Sequence, residues 1–256
     1  MKKRYGYLDV LRGITLISMI VFHTVWDMVY IAGFRWKWFY GTGAYIWQQS
    51  ICWTFILLSG FCYCMGKRSL KRGLQVFGAG MLVSAVTLLI LPEQRIVFGV
   101  LTLLGSCMLI MIPLQKALEH IPTKAGLAGS LLFFFLSRDI NLGYLGFEGF
   151  RLFRLPDILY RGGYLMTYLG FMKKGFFSTD YFSLLPWFFL FVGGYFLYRL
   201  ASEKDLLDRW NGKYGELSGI LPGLMKPLAF LGRHSLLIYL LHQPCIYWVT
   251  LLLAGL

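Results

Sequence analysis

The sequence is poor in charged residues and in other features of soluble proteins. Asp, Glu, Lys and Arg make up 14% of its 256 residues, whereas a soluble domain has about 25%. Its five cysteines show neither a CxxC nor a zinc-ligand spacing, so a disulfide framework and a zinc-binding fold have no support. No hydrophilic linker separates folded units. These deficits exclude an ordinary water-soluble enzyme and favour one membrane-embedded domain over residues 1–256.

In place of charge the sequence has a series of long apolar runs. Runs of about 18 residues can span a bilayer as helices, because backbone polar groups in lipid must be satisfied within the segment. We therefore predict an all-α, polytopic membrane bundle with about seven transmembrane helices, and between seven and nine in total. The predicted spans are 8–32, 44–66, 73–92, 96–114, 124–137, 181–199 and 227–255.

The distribution of positive charge indicates the orientation of the chain. The net charge of +13 would be compatible with nucleic-acid binding, but the Lys and Arg residues cluster beside span ends. With a cytoplasmic N-terminus, inside segments hold 14 of them, including Lys2, Lys3 and Arg4, and outside segments hold 9. The positive-inside rule therefore predicts a cytoplasmic N-terminus and an outside C-terminus, and no nucleic-acid partner is expected.

Two connections between spans are unusual. The inside segment 200–226 is the most polar, and we predict an exposed loop or a surface helix there. The outside segment 138–180 is rich in Gly and aromatic residues as well as Arg. Such composition favours a position on the membrane surface, with a short helix around 159–172.

The first span, LDVLRGITLISMIVFHTVWD over 8–27, carries four ionisable residues on one face. At about 100° per residue, Asp9, Arg12, His23 and Asp27 fall within a stripe about 60° wide. Such a stripe faces the protein interior or a water-filled cavity. Asp9 and Arg12 lie near the predicted cytoplasmic end, as an anchoring ion pair or as a site for an anion. His23 lies about 22 Å beyond the start of the span.

The last span, with FLGRHSLLIYLLHQP over 230–244, supplies partners for this stripe. Ser235, Tyr239 and His242 share one face, and His242 is predicted at the depth of His23. His242 and Gln243 form either a packing contact or part of a site, and Pro244 frees nearby carbonyl groups. Arg233 and His234 lie towards the cytoplasmic end.

Further polar groups are predicted at the outer depth. Gln48 and Gln49 lie in the second span. Asp180 and Trp187 lie in the segment STDYFSLLPW over 178–187. A carboxylate beside His23 would orient it as a general base, and either Asp27 or Asp180 could serve. A zinc site would be a competing use of two His and two Asp, but no compact ligand motif supports it, and no metal is expected.

Four segments together resemble a known family. In chain order, LDVLRGITLISMIVFH, FGVLTLLG over 98–105, STDYFSLLPW and FLGRHSLLIYLLHQP resemble the bacterial relatives of heparan-α-glucosaminide N-acetyltransferase. The spacing of Arg12 and His23 also resembles the Arg-x10-His motif of acyltransferase-3 membrane enzymes. Bacterial relatives often have His where this chain has Thr102. The resemblance implies transfer of an acyl group, commonly acetyl from acetyl-CoA, to a sugar across the membrane, with Arg12 binding CoA and His23 catalytic.

We therefore predict an acyltransferase of the bacterial cytoplasmic membrane. It would move an acyl group, with acetyl expected, from cytoplasmic acyl-CoA to a hydroxyl or amine of an outside glycan or lipid-linked acceptor. The lipid bilayer and these small molecules are the expected partners, and a homodimer is compatible with the sequence. The alternative function is a proton-coupled transporter that uses the His/Asp stripe. The predicted site residues are, for catalysis, His23, Asp27, Asp180 and His242; for CoA, Asp9, Arg12, Arg233, His234, Ser235 and Tyr239; and for the acceptor, Gln48, Gln49, Trp187 and Gln243.

Overall fold

The computed structural model describes residues 5–255 as a predominantly helical chain. Lys2, Lys3 and Arg4, which contribute to the predicted inside charge, lie outside the described residues. The helices within the described range are α1 Gly6–Tyr30, α2 Thr42–Tyr63, α3 Ser69–Ile90, α4 Val100–Glu119, α5 Thr123–Leu136, α6 Gly163–Leu169, α7 Leu184–Glu203, α8 Leu206–Ile220, α9 Pro222–Arg233 and α10 Ser235–Ala254. The described residues also form two short strands, β1 Tyr144–Phe147 and β2 Phe150–Arg154, and four short 3-10 helices.

The long helices agree with the prediction of a helical membrane protein. Five of those described, α1, α3, α4, α7 and α10, are long and apolar enough to cross a bilayer. The other two predicted spans that coincide with helices are weaker: α2 has 22 residues but includes Gln48 and Gln49, and α5 has only 14 residues. The count of seven to nine spans and the cytoplasmic N-terminus therefore stay predictions.

The span predicted over 227–255 is divided into two helices. α9 ends at Arg233 and α10 begins at Ser235, with His234 at φ −101° and ψ 19° between them. Gly232 lies against the backbone of α1, since a Cβ placed there would be 1.8 Å from the carbonyl oxygen of Asp9. This contact belongs to the tertiary structure, so hydropathy along the sequence did not indicate the break.

The 138–180 connection has more structure than the sequence suggested. Strands β1 and β2 form an antiparallel hairpin. Glu148 and Gly149 have φ of 49° and 93° at its turn, as the tight turns of hairpins require. Arg138 Nε contacts Glu148 Oε1 at 3.0 Å beside this turn. The short helix predicted around 159–172 is present as α6, and the polar segment 200–226 contains the largely exposed helix α8.

The contacts within the chain group into two compact units. Unit 1 comprises Met1–Leu58 and Ala201–Leu256, and unit 2 comprises Ser59–Leu200. The prediction of one domain over 1–256 stays a prediction. The core of unit 1 has Leu16, Met19 and Phe22 of α1 packed with Phe39 and Ile51.

Close helix packing in both units depends on glycine. In unit 1, a Cβ at Gly13 of α1 would lie 2.1 Å from the carbonyl oxygen of Leu228 on α9. In unit 2, a Cβ at Gly105 of α4 would lie 2.4 Å from the backbone nitrogen of Phe77 on α3. Small residues at such crossings are typical of membrane helices, whose association depends on close packing.

Candidate active site

Unit 1 brings the two predicted catalytic histidines into contact. The rings of His23 on α1 and His242 on α10 have centroids 5.0 Å apart and an interplanar angle of 57°. His242 is 8% exposed and His23 is half-buried. The ring of Tyr239, one turn before His242, lies 5.2 Å from it. The structure thus places the histidines together, as their matching predicted depths required.

Asp27 and Gln243 join the same cluster through a hydrogen bond. The side-chain amide of Gln243 donates to Asp27 Oδ1 at 3.0 Å, linking α10 to α1. Asp27 is fully buried within unit 1. Asp27 therefore lies in the histidine cluster within unit 1, where its carboxylate contacts Gln243 and not an imidazole nitrogen.

The protonation of His242 follows from its contact with Tyr239. His242 Nδ1 is bonded to the backbone carbonyl oxygen of Tyr239. A carbonyl oxygen can only accept, so in the neutral ring Nδ1 carries the proton and Nε2 has the lone pair. His242 Nε2 is therefore oriented as a proton acceptor.

Three buried acceptor atoms of this cluster have no partner among the described residues. They are His242 Nε2, Asp27 Oδ2 and Gln243 Oε1. Buried polar atoms are normally hydrogen-bonded, and an unpaired one costs about 1–3 kcal/mol. Because all three are acceptors, the group that satisfies them must bring proton donors, as a hydroxyl, an amine or water does.

An aromatic wall beside the cluster was not predicted from the sequence. The indole nitrogen of Trp47 on α2 donates to Ser18 Oγ on α1 at 2.8 Å. The ring of Phe22 lies 5.1 Å from Trp47 and 6.0 Å from His23. This hydrogen bond fixes α2 against α1. The only signal in the sequence was the position of Trp47 next to Gln48 and Gln49.

A second cluster in unit 1 contains two guanidinium groups and one carboxylate. Arg12 Nη1 lies 3.5 Å from Asp9 Oδ1, and Arg233 Nε lies 3.5 Å from Asp9 Oδ2. The Asp9 side chain is 5% exposed, whereas that of Arg233 is 48% exposed. These three described side chains together carry a net charge of +1 and leave guanidinium N–H groups accessible to solvent, which suits an anionic ligand. It lies about 16 Å along α1 from His23.

The remaining residues predicted for CoA lie next to this second cluster or between the two. His234 is exposed and its ring stacks 4.5 Å from that of Phe230. Ser235 begins α10 and is half-buried. Tyr239 packs against the apolar core of unit 1. A binding role for each of them stays a prediction.

The other residues predicted for catalysis or the acceptor have structural contacts of their own. On α2, Gln48 is exposed and Gln49 Oε1 accepts from the Trp53 indole at 3.1 Å. In unit 2, Asp180 Oδ2 accepts from the backbone N–H of Val100 at 3.2 Å, at the start of α4. Trp187 is buried beneath the guanidinium of Arg138, at 4.7 Å. Their functional roles stay predictions.

Burial changes the ionisation of Asp180. It raises the pKa of this carboxyl to about 6 from an ordinary 3.8, while the hydrogen bond from the Val100 N–H works in the opposite direction. The neutral form is thus favoured more than in an exposed aspartate.

The described residues contain no group of three or more His, Cys, Asp or Glu side chains that could hold a metal ion. The side chains of the His23–His242 cluster are suited to proton transfer and hydrogen bonding.

Comparison with known proteins gives one match. The family described as "Heparan-alpha-glucosaminide N-acetyltransferase, catalytic" matches residues 4–244. No curated protein and no solved structure matches the chain. The matched range extends from the start of α1 to Pro244, so it includes every residue of both clusters in unit 1.

Proposed function

Because the chain belongs to the family of heparan-alpha-glucosaminide N-acetyltransferase catalytic domains, we propose that it moves an acyl group, with acetyl expected, from acyl-CoA to a sugar or lipid-linked acceptor. The observation that carries the choice of site is the set of three unpaired buried acceptors, His242 Nε2, Asp27 Oδ2 and Gln243 Oε1. A hydroxyl or amine acceptor brings the proton donors that these atoms lack.

His242 acts as the general base in this proposal. The acceptor O–H or N–H donates to Nε2, and its proton passes to the ring as the oxygen or nitrogen bonds to the acyl carbon. The C–S bond of the thioester then breaks, and CoA leaves as a thiolate that takes this proton from His242 Nε2, which returns the base to its neutral form. The Tyr239 carbonyl that accepts from Nδ1 stabilises the charged ring during the transfer.

Asp27, Gln243 and His23 hold the acceptor in position. Asp27 Oδ2 and Gln243 Oε1 accept hydrogen bonds from neighbouring donors of a sugar, and their mutual bond keeps both groups fixed. The half-buried ring of His23 lies against the ring of His242 and contacts the bound acceptor in this proposal. Orientation of this kind is a large part of enzymatic rate enhancement.

The phosphates of CoA bind at the Asp9–Arg12–Arg233 cluster. Guanidinium groups suit phosphate oxygens, and Asp9 holds two of them side by side. The distance of about 16 Å along α1 to His23 is one that an extended pantetheine arm can bridge. We place the donor on the cytoplasmic side and the acceptor on the outer side, following the predicted orientation of α1.

The test is release of CoA thiol by the purified protein in liposomes. Acetyl-CoA is supplied with a panel of amino sugars and neutral sugars, and thiol release is followed with a chromogenic disulfide. We expect acceptor-dependent release that His242→Ala lowers by about 10²–10⁴-fold in kcat. Added imidazole should restore part of that loss. His120→Ala, which changes an exposed histidine of unit 2, is the matched control and should keep full activity.

Two outcomes would contradict this proposal. If folded protein releases no thiol with any acceptor, the enzymatic function fails, and the transporter alternative becomes the better interpretation of the His/Asp stripe. If thiol is released but His242→Ala matches the wild type, acyl transfer stands and the base is another group.

A further inference from the structure

Unit 2 contains a cationic pocket to which the proposed acyl transfer assigns no residue. The cavity measures about 220 Å³ and lies where the end of α3, the loop before α4 and the segment 164–177 meet. Its lining includes two cations, Arg95 and Lys173, together with Leu88, Tyr164, Phe176 and Phe177. We call it the Arg95–Lys173 pocket.

The two cations face aromatic rings and have no carboxylate partner among the described residues. The Arg95 guanidinium carbon lies 5.2 Å from the ring centroid of Phe177, and Lys173 Nζ lies 3.6 Å from that of Tyr164. Arg95 Nη1 also donates a hydrogen bond to the Pro92 carbonyl at 3.4 Å. The described lining of the pocket therefore carries a charge of +2 and includes no acidic side chain.

Hydrogen bonds hold both cations on fixed backbone. The carbonyl of Arg95 accepts from the backbone N–H of Thr179 at 3.1 Å, and Val97 N–H donates to Ser178 Oγ at 2.9 Å. The backbone N–H of Lys173 donates to the buried hydroxyl of Thr167 at 3.1 Å. Segments fixed in this way place two positive charges near each other before any ligand binds, which lowers the entropy lost on binding.

Aromatic rings in contact with one another lie beside the two cations. Phe176 lies 6.2 Å from Phe98 and 6.3 Å from Tyr164, and 5.0 Å from Tyr181. These contacts join the segment that carries Lys173 to the loop that carries Arg95.

The rim of the pocket is apolar and exposed. Leu88, Leu89 and Ile90 at the end of α3 are 46%, 83% and 68% exposed, and Leu165 on α6 is 69% exposed. Since α3 is long and apolar enough to cross a bilayer, exposed apolar side chains at its end suit contact with lipid near a membrane surface. A ligand that fits here combines an anionic head with an apolar tail.

We propose that the Arg95–Lys173 pocket binds the phosphate group of an anionic lipid. Arg95 forms charge-assisted hydrogen bonds to the phosphate oxygens, and Lys173 adds a second positive charge. The acyl chains lie along the exposed leucines at the end of α3. The phosphate chemistry is shared by a membrane phospholipid and by free phosphate, and the experiment separates the two.

The experiment is native mass spectrometry of the full-length protein released from detergent with added lipid. Phosphatidylglycerol is compared with phosphatidylcholine for the wild type and for the double variant Arg95→Gln/Lys173→Gln. The matched control is Arg161→Gln/Lys174→Gln, which removes two exposed cations of the same connection that do not line the pocket. We expect the first pair to weaken phosphatidylglycerol binding by about tenfold or more and the control to leave it unchanged.

Competition with inorganic phosphate identifies the source of the ligand. If millimolar phosphate displaces phosphatidylglycerol, the phosphate group alone is sufficient; if it does not, the apolar tails contribute to binding. Either result supports a phosphate site in this pocket. Thermal unfolding without lipid checks the fold of each variant. If the double variant is unstable, the single variants Lys173→Gln and Arg95→Lys replace it in the binding comparison.

Two results would overturn the proposal. Equal binding of phosphatidylglycerol by the wild type and the Arg95→Gln/Lys173→Gln variant would exclude the pocket. Equal loss in the control variant would assign binding to the general surface charge of the connection. Neither result depends on thiol release, so this proposal and the proposed acyl transfer can fail separately.

Discussion

Substitution of Gly232 by alanine tests whether the contact between α1 and α9 positions the Asp9–Arg12–Arg233 cluster. A Cβ at Gly232 would lie 1.8 Å from the carbonyl oxygen of Asp9, whereas ordinary contacts begin near 3.4 Å. The helices must therefore separate by about 1.5 Å at this point. Arg233 is the next residue, so the same displacement lengthens its 3.5 Å contact with Asp9 Oδ2.

The magnitude follows from the atom that blocks the new methyl group. Overpacking costs about 1–3 kcal/mol. The blocking atom is a backbone carbonyl oxygen, which cannot rotate away as a side chain can, so the cost of Gly232→Ala lies at the upper end of this range. Alanine returns about 0.5–1 kcal/mol through its higher helix propensity. The net loss of about 2 kcal/mol corresponds to a fall in Tm of about 4–8 °C for a chain of this size.

The assay is thermal unfolding in detergent, followed by acetyl-CoA titration of the same samples. Gly223→Ala is the matched control, because Gly223 lies on α9 as well and a Cβ there meets nothing within 4 Å. We expect Gly223→Ala to keep or raise the Tm, and Gly232→Ala to lower both the Tm and the affinity for acetyl-CoA. Equal Tm values for the two variants would refute the close approach of α9 to α1.

Two further predictions concern unit 2. Because burial raises the pKa of Asp180 to about 6, the folded state binds this proton more tightly than the unfolded chain, whose pKa is near 3.8. The resulting stability is complete below pH 3.8 and is lost as the pH rises through 6. Asp180→Asn keeps an oxygen for the Val100 N–H, so its Tm should rise relative to that of the wild type between pH 4 and pH 7; a constant difference would contradict the raised pKa. Thr102→Val removes a buried hydroxyl that has no partner among the described residues, and it should keep or raise the free energy of unfolding by about 1 kcal/mol in chemical denaturation. A loss of stability would mean that this hydroxyl has a partner, such as a bound water.

The proximity of the residues in the His23–His242 cluster could be predicted from the sequence, because helical periodicity depends only on residues that are near one another in the chain. The spacing of His23 and Asp27 on α1, and of Tyr239 and His242 on α10, follows from 3.6 residues per turn. The matching depth of His23 and His242 required only the length of each span. The resemblance to relatives of heparan-α-glucosaminide N-acetyltransferase, which rests on four sequence segments, is confirmed by the family match over residues 4–244.

Features that depend on contacts between distant segments were not predicted. The bond between Asp180 and Val100 joins residues 80 positions apart, and no periodicity relates them. The approach of Gly232 to the Asp9 carbonyl, two residues before the break at His234, likewise joins distant parts of the chain. The proton on His242 Nδ1 follows only from the position of the Tyr239 carbonyl.

One missed element did have a local signal. The β-hairpin at 144–154 turns at Glu148 and Gly149, where the Gly adopts a positive φ at no steric cost. Its flanking residues are rich in Phe and Leu, and in a chain of apolar helices they did not stand out as strands. An exposed apolar hairpin of this kind is compatible with a position at the membrane surface.

The most direct test of the acyltransferase proposal is calorimetric titration of acetyl-CoA into the purified protein. Wild type is compared with Arg12→Ala and Arg233→Ala, and with Arg209→Ala as the matched control, since Arg209 is an exposed cation of α8. We predict saturable binding that each of the first two variants weakens by about tenfold or more and the control leaves unchanged. Absence of binding to folded wild-type protein, or equal affinity in all four proteins, would contradict the proposal.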